Sequence, residues 1–190
     1  MNQIAIFASG TGTNSTNIIK YFKGHQSIKV SLLLSNNTNS LALSKAIDMG
    51  IKTITFNRTQ FYNGDFVLQK LKENNIDTII LAGFIWIVPE LLIENYTHRI
   101  INIHPSLLPK HGGKGMYGMN VHRSVKSSGD SETGITIHLV DGEYDNGEIL
   151  SQVRCDVSKN DSPESISNKV HRLEYDNFPK EIERFILNSI

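Results

Sequence analysis

Ile4-Ala5-Ile6-Phe7-Ala8-Ser9-Gly10-Thr11-Gly12-Thr13-Asn14 decides the fold. A short apolar run enters a glycine-rich turn, and Ile18, Ile19 and Phe22 then recur at helical spacing. The segment reads as strand, tight turn and helix, the opening unit of an α/β sheet. Glycines let such a turn tighten and let backbone N–H groups approach an anion, which a helix N-terminus also favours. The dinucleotide fingerprint would place a third glycine where Ser15 stands, and an acidic residue where Ser35-Asn36-Asn37 end the next run. No Walker pattern occurs. The turn therefore reads as a cradle for a phosphate monoester, against the simpler alternative of a strand–helix turn with no ligand.

Outward from that turn, apolar runs recur at Val30–Leu34, Ile51–Phe56, Thr78–Ala82 and Arg99–Ile103. Helical periodicity separates them over Leu41–Met49 and Phe66–Lys72, with Gly50 placed as a helix stop. Pro89 is expected to open a short helix after Gly83–Val88, and Val121 and Val125 suggest another over Asn120–Ser127. Gly134–Val140 alternates apolar and polar residues, and Ile149–Val153 is expected to pair with it as a hairpin across 141–148. Asp161-Ser162-Pro163-Glu164 marks a helix start; that helix is expected to run towards Pro179, with Lys180–Leu187 continuing as a last helix. The pattern predicts an α/β, doubly wound, mostly parallel sheet with antiparallel late strands. Ligands in such sheets sit beyond the carboxyl ends of the strands, near the point where strand order reverses.

Composition narrows the partners. The 190 residues suffice for one domain with a real core, and no repeat or linker divides them. Formal net charge is zero, so neither nucleic acid nor an anionic membrane is expected as a partner. The lone cysteine, Cys155, allows no intramolecular disulfide and suggests no thiolate metal site. No signal peptide and no membrane-spanning run is read, so a cytoplasmic location is expected.

The second motif is Ile101-Asn102-Ile103-His104-Pro105-Ser106-Leu107-Leu108-Pro109. Side chains two apart on a strand share a face, so Asn102 and His104 project together. Pro105 holds His104 to an extended backbone. An amide donor beside a proton carrier suits carbonyl chemistry; a capped strand end is the alternative. Asp145 lies in the turn Asp141–Glu148, where a carboxylate reaching His104 would favour an imidazolium. His171 and Glu174, three apart, share a helix face. Trp86 and His138 read first as core residues, and His111 and His122 as loop histidines without metal-ligand spacing.

Taken in order, Ser9–Asn14, Leu81-Ala82-Gly83-Phe84, Asn102–Pro109 and Asp145-Asn146-Gly147 resemble the phosphoribosylglycinamide formyltransferase family over residues 3 to about 180. The Asn-Ile-His-Pro-Ser-Leu-Leu-Pro run is specific to 10-formyltetrahydrofolate-using formyl transfer enzymes as a group, and the glycine turn selects this family within it. The resemblance implies a Rossmann-like formyltransferase fold in one domain, residues 1–190. Its N-terminal half, about 1–100, would bind phosphate; its C-terminal half, about 101–190, would hold the folate and the catalytic groups.

Residue by residue, the resemblance implies that Asn102, His104 and Asp145 are catalytic. Gly12, Thr13 and Asn14 would hold the substrate phosphate, and His171 and Glu174 the ribonucleotide. Ile85, Trp86, Ile87 and Val88, with Asn102 and Asp141, would contact the folate. The implied reaction moves a formyl group from 10-formyltetrahydrofolate to the amine of 5-phosphoribosylglycinamide, in purine synthesis, without a metal. Both partners are small molecules, and the protein is expected as a monomer or weak homodimer. Trp86 departs from the family's common arginine, no arginine near Gly64 matches another folate-contacting position (Arg58 is the nearest), and Gly112–Asn120 is a longer loop than usual. Three other readings are a formyl-folate deformylase, a methionyl-tRNA formyltransferase and a non-catalytic nucleotide-binding domain. The first two usually carry an additional module, for which the chain's ends are expected to leave no room.

Overall fold

A computed structural model gives the fold and describes residues 1–188. Seven strands form one sheet in the order β3-β2-β1-β4-β5-β6-β7. β1 (Asn2–Phe7) pairs in parallel with β2 (Ile28–Ser35) on one side and β4 (Thr78–Leu81) on the other. β3 (Lys52–Thr55) and β5 (Ile100–His104) extend the parallel set, while β6 (Glu132–Leu139) and β7 (Ile149–Asp156) run antiparallel. Strand order therefore reverses at β1, and the Gly10–Asn14 turn leaves the sheet there, where a doubly wound fold binds ligands.

Strand alternation builds two cores. Ile4, Ile6 and Ala8 belong to one, with α1 (Thr13–Tyr21), α2 (Leu41–Asp48) and α7 (Pro163–Asn188). Ala5 and Phe7 belong to the other, with α3 (Arg58–Tyr62), α4 (Phe66–Glu73) and α5 (Glu90–Asn95). A strand covered on both faces is apolar along its covered stretch, as Ile4–Phe7 of β1 and Ile79–Leu81 of β4 are. β5 departs at its carboxyl end: Ile100 packs into the second core, but Asn102 and His104 on that same face are polar.

Two differences from the sequence reading have physical causes. The short helix α3 was not anticipated. Its start is a capping box, in which Asn57 accepts from the Gln60 N–H at 2.9 Å and Gln60 accepts from the Asn57 N–H at 2.9 Å. The C-terminal helix does not stop at Pro179 but continues through it. Proline lacks the N–H that would bond the carbonyl four residues back. That carbonyl, on Tyr175, accepts instead from Asn17 Nδ2 of α1 at 2.8 Å. A partner outside the helix thus removes the penalty of the missing donor. Among the described residues no helix is long and apolar enough to cross a membrane.

Candidate active site

A cleft of ≈ 620 Å³ opens over the carboxyl ends of β1, β4 and β5. One end is built on β5. Asn102 faces His138 across the antiparallel pair, and its Nδ2 lies 3.1 Å from His138 Nε2. His138 Nδ1 donates to the Leu139 carbonyl at 2.7 Å. Burial pushes the His138 imidazole below its ordinary value, against the opposing pull of that carbonyl and of Asp145. A neutral ring with its proton on Nδ1 leaves Nε2 as an acceptor, so the Asn102 amide is held with Nδ2 inward.

His104 is almost wholly buried. Its Nε2 lies 2.9 Å from the His111 carbonyl, which can only accept. Nε2 therefore carries hydrogen, and Nδ1 is the nitrogen free to gain or lose a proton. Nδ1 lies 3.4 Å from Asp145 Oδ1. The other carboxylate oxygen accepts from the Gly113 N–H at 2.8 Å. Burial pushes the Asp145 carboxyl up, but His104, Gly113 and His138 together hold it below its ordinary value. Asn102, His104 and Asp145 are thus brought together at one end of the cleft.

The other end lies at α1. Gly12 is its N-cap, at φ 75°, and no side chain caps the helix, so first-turn N–H groups stay available to a ligand. A Cβ on Gly12 would come within 2.6 Å of the Ala42 Cα, so only glycine fits there. The turn is held from α2: the Gly10 carbonyl accepts from Ser40 Oγ at 2.7 Å and from the Ala42 N–H at 3.2 Å. Thr13 is exposed at the helix start, beside the Thr11 hydroxyl at 3.3 Å. Asn14 Nδ2 donates to Glu174 Oε2 at 3.0 Å, joining α1 to α7. Burial raises the Glu174 carboxyl, and the Asn14 amide and His171 oppose this. His171 lines the cleft from the same helix, bonded to Ser167 Oγ at 3.3 Å.

Ile85, Trp86, Ile87 and Val88 form the wall between the ends. Trp86 both packs on the second core and faces the cleft, so the core reading covers half of its role. Arg58 lies over the rings of Tyr62 at 5.1 Å and Trp86 at 5.7 Å. Asp141, expected among the folate contacts, is not in the cleft lining. Its carboxylate accepts from the Glu143 N–H at 3.2 Å and Asn146 Nδ2 at 3.3 Å within its own turn.

Two histidines stand elsewhere than expected. His138 is not merely structural, since it orients Asn102; only the register of β6 against β5 reveals this. His122, read as a loop histidine, lies on α6 (Met119–Ser128), the helix expected over Asn120–Ser127, and is buried at the cleft wall. Its Nδ1 has no partner among the described residues, and burial pushes its ring down to about 4. Among the described residues no cluster of three or more His, Cys, Asp or Glu side chains could hold a metal ion.

The formyl transferase family profile matches residues 2–182. The chloroplastic phosphoribosylglycinamide formyltransferase of Arabidopsis thaliana is 35% identical over 179 residues, covering 91% of this chain and 61% of that protein. The phosphoribosylglycinamide formyltransferase of Haemophilus influenzae is 32% identical over 190 residues, covering 97% and 87%. The crystal structure of phosphoribosylglycinamide formyltransferase from Bacillus halodurans aligns with a TM-score of 0.88 at 30% identity, covering 100% of this chain and 97% of that one. The chain spans about three-fifths of the length of the two plant relatives, at 61% and 60%. A profile matched along nearly the whole chain, and same-named relatives above 30% identity, agree with the fold and cleft: this chain belongs to the formyl transferase family, among its phosphoribosylglycinamide formyltransferases.

Proposed function

We propose that the protein transfers the formyl group of 10-formyltetrahydrofolate to the amine of 5-phosphoribosylglycinamide, giving formylglycinamide ribonucleotide and tetrahydrofolate in purine synthesis. The observation that carries this is the make-up of the cleft: Asn102, His104 Nδ1 and Asp145 meet at one end, and the uncapped start of α1 stands at the other. The ribonucleotide phosphate rests on Gly12, Thr13 and Asn14. His171 and Glu174 hold its sugar side. The folate lies along Ile85–Val88, with its reactive end at Asn102 and the turn of Asp141 shaping the loop around it.

The amine nitrogen attacks the formyl carbon, and the carbonyl electrons move onto oxygen. The second N–H of Asn102 and a protonated His104 Nδ1 stabilise that oxyanion. The bond from carbon to the folate nitrogen then breaks. A proton from the attacking amine reaches that nitrogen through His104 or a water, so no net proton is lost. Asp145 keeps His104 oriented throughout. Holding both substrates in one cleft makes the step effectively unimolecular.

The chain acts as one domain, its first half holding phosphate and its second half the folate and catalytic groups. It works in the cytoplasm as a monomer or weak homodimer. Folate absorbance with and without the ribonucleotide tests the reaction. Turnover only with the ribonucleotide supports the transferase. Turnover without it makes water the acceptor and the protein a deformylase. No turnover from folded protein leaves a binding domain.

A further inference from the structure

The turn Lys110–Gly113 holds both reacting side chains at once. The His111 carbonyl accepts from His104 Nε2, and the Gly113 N–H donates to Asp145. His111 sits at φ 55°, in the left-handed region. Such a conformation costs a residue with a Cβ on the order of 1 kcal/mol, so something must hold it.

The His111 ring is what holds it. Nε2 lies 2.8 Å from Asp130 Oδ2, and Nδ1 lies 2.8 Å from Ser124 Oγ. A carboxylate only accepts, so Nε2 carries hydrogen; in the neutral ring Nδ1 then accepts from the Ser124 hydroxyl. Ser124 is on α6, and Asp130 follows Gly129, the C-cap of that helix. Lys110 Nζ also reaches Asp130, at 3.2 Å. The turn is therefore tied by side chains to the end of α6. Neither His111 nor Asp130 is among the residues that line the cleft.

We propose that His111 and Asp130 are positioning residues for formyl transfer, which fix the tautomer of His104. The inference rests on the reaction proposed above. A free imidazole samples two tautomers, and only the one with hydrogen on Nε2 suits the His111 carbonyl. That choice leaves Nδ1 as the bare nitrogen of the neutral ring, facing Asp145. A turn that drifts loses the carbonyl, the Asp145 contact and the tautomer together.

The test is nitrogen-15 NMR of histidine-labelled protein beside steady-state kinetics. In the parent, neutral His104 shows hydrogen on Nε2 and a bare Nδ1. His111→Gly keeps the left-handed backbone and removes the ring; Asp130→Ala removes the anchor. Both are expected to show mixed His104 tautomers, with kcat down about tenfold to a hundredfold. KM for both substrates is expected to stay within about twofold. Asp130→Asn keeps an acceptor oxygen and is expected to restore the parent tautomer and most of kcat. An unchanged His104 spectrum in Asp130→Ala, or loss appearing only in KM, overturns the proposal. If His111→Gly does not fold, the Asp130 pair decides alone. Absence of ribonucleotide-dependent turnover in the parent would remove the reaction but leave the tautomer measurement standing.

Discussion

The two ends of the cleft are built on opposite plans. At the β5 end each proposed catalytic side chain already has a protein partner: Asn102 has His138, His104 has the His111 carbonyl, and Asp145 has the Gly113 N–H. At the α1 end the helix is uncapped and Thr13 is exposed. Groups that must stabilise developing charge work best when fixed before the reaction. Groups that bind a fully charged phosphate can take it as their missing partner. The chemical end is thus complete before substrates arrive, and the binding end is completed by one of them.

Substitutions should separate these ends. The largest effect is expected at the β5 end: His104→Ala and Asn102→Ala should each lower kcat by about 10²–10⁴. Ribonucleotide binding, followed by calorimetry, should change little. Equal losses in binding and in kcat would break the comparison.

Gly12→Ala should act the other way. Its Cβ would press on the Ala42 backbone at 2.6 Å from a left-handed φ of 75°. Ribonucleotide affinity should fall about tenfold or more, with a stability cost of about 1–3 kcal/mol. Turnover at saturating substrate should fall far less than in His104→Ala.

The smallest effect sharpens the role of Glu174. Burial raises its carboxyl, so folding favours the protonated form, whereas the unfolded chain ionises at the ordinary value. The penalty is absent below the ordinary carboxylate range and grows as pH rises from there to the folded value. Glu174→Gln should therefore melt about 2–4 °C higher near neutral pH, and the gain should vanish in acid. A gain that persists in acid would mean the Asn14 contact, not ionisation, sets the difference.

Much of the fold is readable because burial on both faces makes a parallel strand a continuous apolar run, as in Ile4–Phe7 and Ile79–Leu81. Asn102 and His104 could be paired because a strand has a period of two residues. His138 could not be paired with Asn102, since that depends on how β6 registers against β5. The helix α3 carried a readable sign, Asn57 with Gln60 three residues on, hidden by its brevity. The helix holding His122 is legible from Val121 and Val125, but its burial at the cleft wall is not, since that depends on how α6 packs beside the site. The loop after Pro109 resisted reading altogether. Its order comes from Asp130 and Ser124, which neither period nor turn chemistry connects to His111.

Pro179 leaves a different legacy. Asn17 spends its amide on the Tyr175 carbonyl that Pro179 leaves vacant, one helical turn from where Asn14 meets Glu174. The proline therefore makes the asparagine necessary. Changing Pro179 alone would return a backbone donor to the carbonyl, whose two lone pairs can take both it and Asn17. Changing Asn17 alone would leave the carbonyl bare inside the protein. The dependence runs one way: the asparagine can be given up without that cost only after the proline has gone.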